Sequence, residues 1–195
     1  MNLRPKPPAK PTPKASAKGA PKLNSKPGTV WMRAAAFAAR EHKGHLRKDG
    51  RTPYIAHVFR VAMIVSHQFG HDDESTLAAA ILHDVIEDTP NDYDDISRRF
   101  GHDVADMVAA LTKNMLLPEP EREKDYDQRL AKADWRARLI KLADVLDNAT
   151  DGAGKAGKLR DKCRRAIALA TPDAANHPET RAGIELVRAL PILAG

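Results

Sequence analysis

The stretch Leu77-Ala-Ala-Ala-Ile-Leu-His83-Asp84-Val-Ile-Glu87-Asp88-Thr89 runs two wholly apolar turns into four ionisable side chains. A helix that is apolar all round is a buried helix. Helical spacing places His83 over Glu87 and Asp84 over Asp88, each pair four residues apart. Three carboxylates crowded at a buried helix end repel one another and lose hydration unless a cation neutralises them. Imidazole nitrogen with carboxylate oxygen suits Mn, Fe or Zn, and no cluster of thiolates competes. Taken alone, the stretch also fits a surface helix end with solvated acids and one packed histidine.

Two segments elsewhere bear on that choice. His57 lies in YIAHVFRVAMIV (54–65), amid apolar neighbours that would suit a core histidine equally well. Asp144 lies in LIKLADVLDN (139–148), inside an apolar run where an unpaired carboxylate is costly. Asp147 follows at i+3 and Asn148 at i+4. A buried acid on each of two helices and a histidine on a third are explained together by one metal site.

Outward from these segments the apolar residues keep helical spacing, and no alternating segment is long enough for a strand. Thr29 or Gly28 caps a helix through Glu41, and a basic loop spans Lys43–Thr52. Pro53 fits the first turn of a second helix through Val65, stopped by Gly70. The third helix runs from Thr76 to about Glu87, capped by Asp72 or Asp73 and ended by Pro90. Helices follow at 93–100, 102–112, 124–132, 135–149, 156–170 and 179–190. A charged, proline-bearing loop covers 114–124, and Asp151-Gly-Ala-Gly154 forms a Gly-rich break. The class is all-α, a single irregular bundle with Leu, Ile, Val and Ala stripes inside.

The formal net charge of +6 is unevenly placed. Residues 1–28 hold seven basic side chains, no acid and seven of the fourteen prolines; without them residues 29–195 carry −1. Such a segment cannot bury enough apolar surface to order itself, so 1–28 reads as a basic, disordered tail and 29–195 as the folded domain. The tail lacks the interleaved aromatics that stack on bases, so no specific nucleic acid is expected. Its prolines oppose a secretory or transit signal, and no apolar run approaches the ~20 residues of a membrane span. A single cysteine, Cys163, fits a reducing cytoplasm.

The order His57 … His83-Asp84 … Asp144 resembles the metal-binding pattern of the HD phosphohydrolase superfamily. FAAREHKGHLRKDGRTPYIAH (37–57), LAAAILHDVIEDT, FGHDVADMVAALTK (100–113) and LIKLADVLDN resemble, more narrowly, the hydrolase domain of the RelA/SpoT homologues. Those enzymes remove the 3′-diphosphate of the alarmone (p)ppGpp. The resemblance covers about residues 30–150, with four motifs in order, and leaves 155–195 as closing helices. With 195 residues there is no room for the synthetase domain of bifunctional members, which implies a stand-alone small hydrolase.

The resemblance implies His57, His83, Asp84 and Asp144 as ligands of Mn²⁺, with a water made acidic by the cation attacking the 3′-phosphorus. It implies Glu87 and Asp88 as the catalytic acidic pair, positioning the water or protonating the leaving oxygen. It also implies Arg47 and Lys48 at the guanine base and neighbouring phosphates, Asn148 near the ribose and 3′-phosphate, and Lys141 and Tyr126 near the substrate. The chain departs from the family pattern at Val58, where many relatives have proline, and at His45, commonly glutamine. Ala149-Thr150-Asp151 stands where an arginine often follows. His42 and His45 are read as structural or solvent-facing. Two alternatives remain: an NADPH 2′-phosphatase of the same family, and a non-catalytic alarmone-binding module.

Overall fold

The computed structural model describes residues 29–152 and 155–194, so the expectation of a disordered tail at 1–28 lies outside the described residues. Ten α-helices are present among them: α1 Val30–Glu41, α2 Ile55–Met63, α3 Glu74–Leu82, α4 Val85–Asp88, α5 Tyr93–Phe100, α6 His102–Leu111, α7 Glu119–Lys132, α8 Trp135–Thr150, α9 Ala156–Ala170 and α10 Pro178–Arg188. A π-helical turn, Ile64–Gln68, extends α2, and 3₁₀ turns follow α9 and α10. No strand occurs among the described residues; an isolated antiparallel bridge joins Leu46 and Pro53. The all-α class and the bundle architecture are as expected.

Helix α3 is the axis of the bundle because it has no polar face. Ala78, Ala79, Ala80, Ile81 and Leu82 are all buried, and α1, α2, α6 and α8 pack around it. Its alanines give little side-chain bulk, so neighbouring helices approach closely. Helix α8 is the second buried axis, with Leu139, Ile140, Leu142, Ala143, Val145 and Leu146 inside. The apolar faces of α2, α3 and α8 therefore meet, and the polar residues embedded in them are brought together.

Three boundaries differ from the sequence expectation, each for a physical reason. The third helix does not run unbroken to Glu87: it stops at Leu82 and resumes at Val85, with Asp84 at φ −101°, ψ 0°. That sparsely allowed backbone is one that active-site residues often adopt. Asp84 is half-buried and Asp88 more exposed, but the backbone bond from Asp88 N to Asp84 O survives at 2.9 Å and both carboxyls stay beside the Tyr54 hydroxyl. The second helix begins at Ile55, because Pro53 is engaged in the bridge and Tyr54 N donates to His45 O at 2.8 Å. Helix α7 begins at Glu119 and not at 124: Pro118 caps it and Pro120 sits in its first turn, where a missing N–H leaves no bond unmade.

Helix α7 buries only Tyr126 and Leu130 and is otherwise held by charge. Glu123 pairs with Lys113 and with Arg165 (2.7 Å), and Asp127 takes a two-pronged contact from Arg165 at 2.7 and 2.8 Å. Burial would raise the Glu123 carboxyl, but Lys113 and Arg165 outweigh it and hold it at about 2. A folded-state value below the ordinary 4.5 contributes stability above that value, which is lost as pH falls from 4.5 toward 2. Melting curves from neutral pH down to about pH 3 should therefore show an acid-sensitive part that Glu123→Gln removes. An unchanged acid dependence in that variant would mean that Glu123 does not anchor α7.

Candidate active site

The fracture between α3 and α4, the first turn of α2 and the middle of α8 converge on one point. His57, 1% exposed, comes from α2 and His83, also buried, from the end of α3. Asp84 lies in the fracture and Asp144 on α8. His57 Nε2 stands 3.6 Å from Asp84 Oδ2 and 3.4 Å from Asp144 Oδ1. His83 Nε2 stands 2.9 Å from Asp84 Oδ2 and 3.8 Å from Asp144 Oδ1. Donor atoms of His57, His83 and Asp144 all lie within 4.8 Å of one another.

Each ligand-type atom is oriented from behind. His83 Nδ1–H donates to Ala80 O at 2.8 Å, leaving Nε2 as the lone-pair nitrogen. That buried Nε2 makes no well-aligned hydrogen bond although Asp84 Oδ2 lies 2.9 Å away, a close approach of lone pairs that a cation between them relieves. Asp84 Oδ2 accepts from Tyr54 OH at 2.6 Å. Asp144 accepts from Asn148 Nδ2 on Oδ1 (2.6 Å) and from Lys141 Nζ on Oδ2 (2.7 Å).

The electrostatics fit a cation. Burial would lower the His57 imidazole, yet hydrogen bonding to Asp144, Asp147 and Asp84 outweighs it and raises His57 to about 11. The Asp84 and Asp144 carboxyls lie below the carboxylate range: burial opposes this, but His83 and His57 prevail at Asp84, and Lys141 with the imidazoles at Asp144. A site this negative, with two imidazole nitrogens and two hard oxygens, matches the donor set of a first-row divalent metal. Metal–ligand bonds of roughly 2.0–2.2 Å place neighbouring donors about 3–4 Å apart, as these are. The residues present fit such an ion.

A cavity of about 310 Å³ opens from the cluster, lined by Arg47, Lys48, Glu87, Lys113, Lys141 and Lys162 among others. A second lobe of about 280 Å³ shares Lys48, Asp144, Asn148 and Lys162 and adds Lys155 and Lys158. Lys155 stands at the N-cap of α9, and Lys158 and Lys162 follow four residues apart on one face of the helix. Apart from the acids at the cluster and Glu87, the named charged lining is cationic and suits a polyanion.

The other sequence-designated residues are placed unequally. Glu87 lines the cavity, with Oε2 accepting from Lys113 N at 3.0 Å, and burial raises its carboxyl. Asp88 is more exposed and outside that lining, yet it shares the Tyr54 hydroxyl with Asp84, and burial together with Asp84 raises its carboxyl. Arg47 is 8% exposed: Nε donates to Asp151 Oδ2 (3.1 Å), Nη2 to Asn148 Oδ1 (2.9 Å), and its guanidinium lies 5.6 Å over the Tyr54 ring. Lys48 lines both lobes. Tyr126 is buried, with Lys113 and Lys141 each 5.4 Å over its ring and burial pushing its hydroxyl up to about 12. His42 is buried against Tyr54 (5.0 Å between rings), and His45 is half-buried beside it.

Sequence reasoning missed Tyr54, Asp147, Lys113 and the α9 lysines. The lysine spacing was there to be seen, and Asp147 shared the apolar run that singled out Asp144. Nothing local marked Tyr54 as the partner of Asp84.

The sequence matches the protein family described as HD domain over residues 34–174. It is 41% identical over 126 residues to guanosine-3′,5′-bis(diphosphate) 3′-pyrophosphohydrolase MESH1 of Drosophila melanogaster, covering 64% of this chain and 70% of that one. It is 36% identical over 164 residues to the bifunctional (p)ppGpp synthase/hydrolase SpoT of Escherichia coli K12, covering 80% of this chain and 22% of SpoT. A solved structure described as a metazoan ortholog of SpoT that hydrolyzes ppGpp superposes with a TM-score of 0.70 at 30% identity, covering 87% of this chain and 99% of that one.

Proposed function

The chain belongs to the HD-domain family, and from that premise we propose that it hydrolyses the alarmone (p)ppGpp at the 3′ position, releasing pyrophosphate and GDP or GTP. The observation that carries this is the His57–His83–Asp84–Asp144 cluster at the floor of a lysine-lined cavity. The hard and borderline donors favour Mn²⁺, held by those four residues. When bound, such an ion supplies Lewis acidity to the phosphoryl oxygens and lowers the pKa of water.

The chain's own residues do the rest. Water adds to the 3′-phosphorus, the bond from phosphorus to ribose O3′ breaks, and its electron pair leaves on O3′. An alkoxide leaves poorly and needs a proton. Three carboxyl groups line the metal lobe; with Asp84 and Asp144 given to the cation, Glu87 is left for proton transfer. Asp88, being exposed, has a positioning part at most. Arg47, Lys48 and Asn148 border the region assigned to the nucleoside and its phosphates, and Lys141 holds Asp144 ionised beside Tyr126. Lys155, Lys158 and Lys162 offer charge to the second polyphosphate arm.

Cys163 is buried and unpaired, and no helix among the described residues is long and apolar enough to cross a membrane. A buried, unpaired thiol accords with the reducing cytoplasm as the place of work.

Purified protein with Mn²⁺, given ppGpp, pppGpp and NADPH in parallel, tests the substrate. Pyrophosphate from the two alarmones with little orthophosphate from NADPH is expected. Faster orthophosphate release from NADPH would transfer the assignment to a 2′-phosphatase. Alarmone binding with no turnover of any substrate would make the chain a binding module.

A further inference from the structure

His57 is gripped from behind more firmly than its neighbours in the cluster. Its Nδ1–H donates to Asp147 Oδ2 at 2.6 Å. Asp147, 3% exposed, lies on α8 three residues past Asp144. It also receives a two-pronged contact from Arg60, Nε on Oδ1 and Nη2 on Oδ2 (3.0 Å). Arg60 follows His57 by three residues on α2, so one helix supplies both the imidazole and the guanidinium that hold a single carboxylate on α8. Arg60 Nη2 lies 3.1 Å from Asp151 Oδ2, the same oxygen that accepts from Arg47 Nε. A continuous set of polar contacts thus joins His57 to the substrate loop.

Once a cation takes the place of its second proton, an imidazole has one N–H and one lone pair, and whatever accepts the N–H decides which nitrogen is which. With Nδ1–H given to Asp147, the lone pair stays on Nε2, the atom that faces Asp84 and Asp144. A carboxylate this buried needs a charged partner to stay ionised, and the fork of Arg60 is the strong form of that contact. We propose that Asp147, clamped by Arg60, is the positioning residue of His57, fixing the tautomer and ring orientation that present Nε2 to a divalent cation. This rests on the metal-dependent reading given above. Asp151 extends the same clamp to Arg47, so the loop and the ligand share one support.

The test uses the full chain stripped of metal by chelation, with free Mn²⁺ counted by electron paramagnetic resonance during titration. Asp147→Asn should weaken Mn²⁺ binding about 10- to 100-fold, as loss of an outer partner of a ligating histidine does. Arg60→Gln should weaken it less, and the double variant should match Asp147→Asn alone because Arg60 acts through Asp147. Raising Mn²⁺ should restore most of the turnover of each variant. A purely structural role would lower the melting temperature in chelator without shifting Mn²⁺ affinity. If Asp147→Asn does not fold, Arg60→Gln carries the test. Mn²⁺ affinity in both variants within about twofold of the parent overturns the proposal. A parent protein that binds no Mn²⁺ overturns the metal reading itself, and this inference with it.

Discussion

Asp144→Asn is expected to abolish alarmone hydrolysis by releasing the cation. Asp144, like Asp84, faces both imidazoles, with Oδ1 at 3.4 Å from His57 Nε2 and 3.8 Å from His83 Nε2. It also neutralises Lys141, whose ammonium lies 2.7 Å from Oδ2. The amide removes a hard anionic donor and leaves the lysine charge facing the site, so ligand loss and repulsion act in the same direction. Mn²⁺ affinity should fall by more than the roughly 100-fold that loss of an outer partner causes. A half-buried lysine deprived of its carboxylate also destabilises the fold. Asp144→Asn/Lys141→Met separates the two effects: it should recover melting temperature in chelator and still bind Mn²⁺ poorly. Near-parental Mn²⁺ affinity in either variant would remove Asp144 from the ligand set.

Glu87→Gln should do the opposite, keeping the metal and losing the chemistry. The amide oxygen can still accept from Lys113 N, the contact that holds Glu87 Oε2 at 3.0 Å, so packing is preserved. What disappears is the transferable proton. Removal of a general acid or base costs about 10²- to 10⁴-fold in rate, and that loss should appear in kcat with KM and Mn²⁺ affinity nearly unchanged. Asp88→Asn serves as the internal comparison. Its exposed position outside the cavity lining leads to a much smaller loss of kcat. Equal losses in the two variants would show that the acids work as a pair after all.

The parts of this molecule legible in the sequence are those fixed by local pattern. The unbroken apolar turns before His83 and the apolar run around Asp144 marked α3 and α8 as buried, and the burial of two acids within them pointed to a cation. What stayed hidden depends on how helices cross. No glycine or proline announces the fracture at Asp84; its carboxylate is drawn to the Tyr54 hydroxyl and toward two imidazoles supplied by other segments. Asp84 and Asp88 nevertheless keep their spacing of four, joined by the Asp88 N to Asp84 O bond at 2.9 Å and by a common neighbour in Tyr54. Asp147 acquires its partners only because α2 lies against α8 and delivers His57 and Arg60 together. Local pattern placed Arg47 only in a basic loop, with no sign of burial. It is buried because the Leu46–Pro53 bridge, the Arg47 N to Thr52 O bond at 2.8 Å and Gly50 at φ +69° close the loop tightly. Asp151 and Asn148 then meet its guanidinium.

The central claim is that a cation held by His57, His83, Asp84 and Asp144 drives cleavage at the 3′ position. Metal-stripped protein given ppGpp, with and without added Mn²⁺, measures it most directly, with pyrophosphate and GDP quantified together. The expected result is no turnover in chelator and, on adding Mn²⁺, pyrophosphate and GDP released in equal amounts. Turnover that persists in chelator, or orthophosphate in place of pyrophosphate, would contradict it.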